Sequence, residues 1–187
     1  EKVRRLRRDA GGLICLAVGG KEAKRLKLRF ATDLLFESGS PVISKMAGGR
    51  MAYGDKPSFS ISINHLSVFT GITDNDRAKT ISEFGKLVAR KGTAREFSKG
   101  FRAIGHVFLL IGSGLEKRRG HTELALELAV RAGAPQAVVV CEMLSGTGRA
   151  ASRQAAIRYA GRNGFPFLDG KGLVDSFRQG KRAWNPG

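Results

Sequence analysis

Three apolar runs of strand length set the strongest limit on what this chain can become. Residues 13–18 (Leu-Ile-Cys-Leu-Ala-Val), 107–110 (Val-Phe-Leu-Leu) and 137–143 (Ala-Val-Val-Val-Cys-Glu-Met) are short, nearly free of charge and bounded by glycine or polar residues. Each is expected as a strand buried within a sheet. Residues 58–64 alternate instead, with Phe59, Ile61 and Ile63 on one side and Ser58, Ser60, Ser62 and Asn64 on the other. That period of two predicts a strand with one wet side, which could face a pocket. Residues 165–168 read as a further short strand.

Between these runs the apolar spacing turns helical. After Thr73 and Asp74, which suit a helix start, Ala78, Ile81, Phe84, Leu87 and Val88 recur at helical intervals. Leu124, Leu126, Leu128 and Ala129 do the same after His121, with Gly133 as the stop. Residues 21–27, 152–163 and 172–179 are also expected to be helical. Strands and helices in mixed order give an α/β (α+β) class, with a mixed sheet flanked by helices. A chain of 187 residues supports one core and is short for two, so residues 1–187 are expected to be a single catalytic domain. Glu1 opens directly into what reads as the end of a helix around Val3 and Leu6, so the start of the domain is expected to lie upstream. The breakers Gly39, Pro41, Gly48, Gly49, Gly54 and Pro57 predict a long surface loop.

Location follows from what these runs lack and from the cysteines. The sequence holds no apolar stretch of membrane-spanning length and no signal-type segment after its basic start, so neither membrane nor secretion is expected. Cys15 and Cys141 each lie inside an apolar run, which suits buried thiols in a reducing compartment, with the cytosol as default. The formal net charge is +17, compatible with nucleic acid, acidic lipid or anionic small substrates. Basic residues gather at 4–8, 21–29, 117–119 and 181–182 without a stripe interleaved with aromatics. A solvated basic surface is therefore favoured over nucleic-acid binding.

The chemistry-bearing residues lie at the borders of these elements. Gly114-Leu-Glu-Lys-Arg118-Arg119-Gly120-His121-Thr122 runs straight into a helix. Its backbone amides, two guanidinium groups and the Thr122 hydroxyl suit a phosphate, although a basic loop capped by Thr122 is also an ordinary helix start. His106 and His121 each follow a glycine at the border of an apolar element, and either could ligate a metal, act as acid or base, or hydrogen-bond structurally. His65 has no such company and reads as structural. Glu142 ends the 137–143 run. Buried there, its carboxyl would need a partner and would be tuned toward acid/base work; exposed, it is a plain strand end. No HExxH, CxxC, GxSxG or GxxxxGK pattern is present, which leaves zinc proteolysis, thiol exchange, esterolysis and P-loop chemistry without support.

In order and spacing, these segments resemble the 3,4-dihydroxy-2-butanone 4-phosphate synthases of riboflavin biosynthesis. The resemblance runs through Arg8-Asp-Ala-Gly-Gly-Leu-Ile-Cys15, Phe59-Ser-Ile-Ser-Ile-Asn-His65, Phe69-Thr70-Gly-Ile-Thr-Asp74-Asn-Asp-Arg77, Gly105-His106-Val107, Arg118-Arg-Gly-His-Thr-Glu123 and Cys141-Glu142-Met143. The long 39–57 segment is similar to archaeal members. The resemblance implies a lyase that converts ribulose 5-phosphate to the four-carbon phosphate and formate, with magnesium or manganese and no organic cofactor. By position, His121 would ligate the metal, and Arg118, Arg119, Gly120 and Thr122 would hold the phosphate. Glu142 and His106 would be the acid/base pair, with Cys15, Thr70 and Asp74 near the pocket. It further implies a homodimer with sites at the interface, and a second metal ligand on an acidic loop expected upstream of Glu1. This sequence departs from the family at Ile104, where proline is usual, and at the 145–148 turn, which is less acidic. The alternatives are a basic nucleic-acid-binding protein and a catalytically inactive relative, each reusing the fold.

Overall fold

Alternating side chains in the two central apolar runs place one row on each face of a sheet, and the row facing the helices forms the core. The computed structural model describes residues 1–48 and 57–179. A short helix α1 (Lys2–Arg5) runs through a π-type turn (Leu6–Ala10) into β1 (Gly11–Val18), followed by α2 (Gly20–Arg25), α3 (Ala31–Phe36) and α4 (Pro41–Ala47). Next come β2 (Phe59–His65), α5 (Asp74–Ala89), α6 (Ala94–Gly100), β3 (Phe101–Ile111), α7 (His121–Arg131), β4 (Ala137–Met143), α8 (Arg153–Asn163) and α9 (Gly170–Arg178). The four described strands form one mixed sheet in the order β2-β3-β1-β4, with β1 and β3 parallel and both outer pairs antiparallel. The mixed α/β class and all but one of the expected strands are therefore present.

Leu16, Val18, Val107, Leu109 and Ile111 point to one side, where they pack with Phe84, Leu87 and Val88 of α5 and Phe97 of α6. Phe84 meets Phe97 and Phe101 edge-on, with centroids 5.7 and 5.8 Å apart. Helix α5 starts where expected, with the Thr73 hydroxyl accepting from the Asp76 N–H at 3.1 Å. Helix α6 adds to the elements expected from periodicity. Its signal is a capping box, in which Thr93 Oγ1 accepts from Glu96 N–H and Glu96 accepts in return from Thr93 N–H.

Three expectations need correction. Residues 165–168 form no strand: Pro166 offers no N–H to a ladder. Phe165 and Phe167 instead lie under the guanidinium groups of Arg5 and Arg153, each 5.3 Å from the ring. The 39–57 segment is not all loop, because Ser40 caps α4 with Pro41 in its first turn; residues 49–56 lie outside the described part. The polar side of β2 is not wet. Ser58, Ser60, Ser62 and Asn64 are all buried, with their side chains bonded to Arg118, the Arg29 carbonyl, the Gly105 N–H and the Gly105–His106 turn.

Helix α8 is tied to the N-terminal segment where the Tyr159 hydroxyl donates to Asp9 at 2.8 Å. The Arg8 guanidinium and then that hydroxyl hold the Asp9 carboxyl down to about 2, from an ordinary 3.8. A depressed carboxyl contributes stability above its ordinary value and loses it as pH falls through the folded one. The difference in Tm between wild type and Tyr159→Phe is therefore expected to persist at neutral pH and to close as pH falls from 3.8 toward 2. A gap that stays constant over that range would show that Asp9 is not the partner that matters.

Candidate active site

The N-terminus of α7 has features that suit an anion. Gly120 is its N-cap, no side chain caps the first turn, and Leu124 N–H bonds back to the Gly120 carbonyl at 3.0 Å. The first N–H groups of the helix are thus available to a ligand at its positive end. Thr122 does not cap the helix, contrary to the simpler expectation; it lies within the first turn and is buried. Arg119 and His121 are exposed.

Arg118 is fixed from two sides. Its Nη1 donates to Ser58 Oγ at 2.6 Å and to Glu123 Oε2 at 3.2 Å, and the Glu123 side chain is wholly inaccessible to solvent. Glu123 Oε1 in turn accepts from the Ser113 N–H at 3.2 Å. A buried carboxylate therefore ties both ends of the 113–123 loop together and holds Arg118 beside the helix start. Glu123 stands in the motif that follows Arg118, but nothing in its spacing signals this role.

His106 lies in a different setting. At the step from Ile63 to Asn64 the β2–β3 register jumps from Val107 to Arg102, so β3 loops out between them. Gly105 N–H donates to Ser62 Oγ at 3.2 Å and His106 N–H to Asn64 Oδ1 at 2.9 Å. Gly105 is required there, since a Cβ would lie 2.0 Å from the Ile63 carbonyl carbon. Gly105→Ala is expected to cost at least about 2 kcal/mol of stability and to displace His106. Chemical denaturation measures the first, and an unchanged midpoint would refute the close packing.

Glu142 is exposed, so of the two settings open to it in the sequence the structure shows the strand-end one, a residue before the end of β4. It flanks Cys141, whose thiol donates to the Gly12 carbonyl at 3.3 Å. Cys15 is buried and its thiol is pushed up to about 11, mainly by desolvation, which makes it an inert wall rather than a nucleophile. Asp74 is engaged by Arg7, at 2.9 Å from both Nε and Nη2, and by Arg77 at 2.9 Å. Those guanidinium groups, Arg7 first, lower its pKa, and the carboxylate serves as a clamp between the N-terminal segment and α5. Thr70 is exposed, with its hydroxyl donating to Asp76 at 3.3 Å and its carbonyl accepting from Asn64.

The expected residues thus fall into two groups. Arg118 anchors to Ser58, which pairs with Ile111, whereas His106 anchors to Asn64. Ile111 lies five residue steps along the strand from His106, about 16 Å at roughly 3.3 Å per step. Through the β1–β3 and β1–β4 registers, Glu142 lies at the His106 end of the sheet, two strands away, about 10 Å at roughly 4.8 Å per strand. Two large apolar side chains of the segments that hold His106 are exposed: Ile104, two residues before it, to 88% and Phe69, beside the Thr70 bonded to Asn64, to 92%. Monomers rarely leave such a rim uncovered.

A divalent cation would find one ligand in His121. Among the described residues no three His, Cys, Asp or Glu side chains converge, and magnesium prefers six oxygen ligands. His121 therefore fits as one contributor and does not make a complete magnesium site.

A buried mixed sheet carrying a phosphate-type helix terminus at one end and an imidazole with a carboxylate at the other has counterparts of known structure. A crystal structure of the 3,4-dihydroxy-2-butanone 4-phosphate synthase of Candida albicans has the same fold, with a TM-score of 0.69 at 24% identity, covering 94% of this chain and 77% of that one. Another synthase, crystallised in complex with two magnesium ions, covers 96% and 82% with a TM-score of 0.64 at 23% identity. The sequence then narrows the class. The family model for 3,4-dihydroxy-2-butanone 4-phosphate synthase matches residues 1–176, and the chain belongs to that family. Synthases of that name from Archaeoglobus fulgidus and Methanothermobacter thermautotrophicus are 40% and 38% identical, each over 96% of this chain and 79% and 80% of their own length. A riboflavin biosynthesis protein of Bacillus cereus is 34% identical over 139 residues, 73% of this chain and 29% of that one. The family places the chain in riboflavin biosynthesis. Among the described residues no helix is long and apolar enough to cross a membrane.

Proposed function

We propose that the protein is a cytosolic lyase that converts ribulose 5-phosphate to 3,4-dihydroxy-2-butanone 4-phosphate and formate, with Mg2+ or Mn2+ and without an organic cofactor. The observation that carries this reading is the α7 terminus: free of any side-chain cap, flanked by the anchored Arg118 and the exposed Arg119, it suits a terminal phosphate. Membership of the synthase family supports ribulose 5-phosphate as the substrate that carries this phosphate. A divalent cation bound with help from His121 would supply charge stabilisation to an enolate oxygen. The remaining roles belong to the chain. Gly120 and Thr122 present backbone N–H groups to the phosphate and Arg119 adds charge. Glu142, exposed beside Cys141, takes a proton from carbon, and His106 serves the oxygen side of the enolisation.

The active unit is a homodimer. Within one chain the described contacts leave His106 about 16 Å along the sheet from the strand end to which Arg118 is tied. A second copy that covers the apolar rim of Phe69 and Ile104 would carry His106 to its partner's α7 terminus, giving two sites, each shared. Catalysis is tested by coupling formate release from ribulose 5-phosphate to formate dehydrogenase. The full-length protein should produce formate, stop with EDTA and resume with added magnesium. Turnover unaffected by chelation would remove the metal from the scheme.

A further inference from the structure

The amide of Asn64 is 98% buried and every polar atom on it is committed. Its Oδ1 accepts from the His106 N–H at 2.9 Å, its Nδ2 donates to the Thr70 carbonyl at 3.3 Å, and the same Nδ2 lies 3.2 Å from His106 Nδ1. Two backbone groups fix which way this amide points. A backbone N–H only donates and a carbonyl only accepts, so flipping the amide would set donor against donor and oxygen against oxygen at once. The side chain has no room to turn away either, because Gly71, at φ +92°, passes so close that a Cβ there would fall 2.0 Å from Nδ2.

His106 Nδ1 therefore faces a fixed N–H donor. We propose that Asn64 is a positioning residue that holds His106 in its Nε2–H tautomer, so that the imidazole enters catalysis as a hydrogen donor and not as the base. This rests on the proposed synthase reading. An Nδ1–H ring would place two donors face to face, whereas the Nε2–H ring accepts from Asn64 and presents its own N–H outward. In the enolisation, the C–H proton then goes to the Glu142 carboxylate. The electron pair it leaves forms the C–C double bond, and the oxygen gaining charge is stabilised by the Nε2–H without full transfer of that hydrogen. The division of roles between His106 and Glu142 follows from a residue that touches neither substrate nor Glu142.

The tautomer can be read without any activity. In two-bond 1H–15N correlation spectra of the full-length protein at neutral pH, the signals lost in His106→Gln identify this ring. They are expected to show a protonated Nε2 and a bare Nδ1. A neutral Nδ1–H ring, or an imidazolium at neutral pH, overturns the inference and leaves the synthase reading intact. Absence of formate release by the wild type would instead remove the synthase reading while the tautomer stands. Asn64→Asp supplies the functional arm, because a carboxylate opposite Nδ1 can only accept. The hydrogen should move to Nδ1 and kcat should fall by about 10²-fold, with KM changed little. Wild-type kcat in a variant shown to carry Nδ1–H overturns the catalytic role. Should this variant not fold, the wild-type spectrum alone decides the tautomer.

Discussion

Equal amounts of His106→Ala and His121→Ala chains, refolded together, are expected to recover roughly one quarter of wild-type activity, although each variant alone loses about 10²-fold or more. The arithmetic follows from a two-fold dimer with shared sites. Random pairing makes about half of the dimers mixed, and each mixed dimer owns one site with both substitutions and one with neither. The expectation comes from the separation of the two groups: His106 is held by Asn64 and Arg118 by Ser58, near opposite ends of β2. It also draws on the exposed Phe69 and Ile104 beside His106, which a partner would cover. If the mixture stays as inactive as its parts, while both variants remain folded dimers, each site is built within one chain.

The second large effect concerns Arg118. Among the described residues, removing its side chain leaves Glu123 buried with one hydrogen bond, from Ser113, and no countercharge. Arg118→Ala is expected to destabilise the fold by about 3–5 kcal/mol, the usual penalty for orphaning one member of a buried ion pair. The double variant Arg118→Met with Glu123→Leu removes the charge together with its partner and should recover most of that loss. Its KM for ribulose 5-phosphate should stay raised, because the anchored guanidinium of Arg118 is gone and the exposed Arg119 alone flanks the α7 terminus. Urea unfolding separates the two roles. A single variant that unfolds at the wild-type midpoint would mean that Glu123 does not anchor the loop, whereas a double variant with normal KM would confine Arg118 to structure.

The sequence makes local features plain and hides those built by distant partners. Helix α5 and strand β4 were readable because Thr73, Phe84, Leu87 and the run 137–143 carry their own signals, a cap and a period. Even a local signal can pass unread, as the Thr93 to Glu96 box of α6 shows. The buried polar side of β2 is a different matter. Its partners are 31 to 60 residues away along the chain, so the alternation correctly predicts a strand and says nothing about what meets its serines. Residues 165–168 show the reverse error, a short apolar run whose aromatic rings serve as platforms for Arg5 and Arg153. The motif Arg118 to Thr122 does lead into a helix, α7, as its spacing predicts. The grip of Glu123 on Arg118 and that of Asn64 on His106 depend on packing that no spacing rule contains.

The proposed conversion of ribulose 5-phosphate has a definite mass balance, and that balance is its direct test. With ribulose 5-phosphate, magnesium and the full-length protein, 1H and 31P NMR should show one formate and one new phosphate-bearing product for each substrate consumed, with Glu142→Gln giving neither. Substrate left unchanged by a folded, magnesium-loaded protein would contradict the assignment.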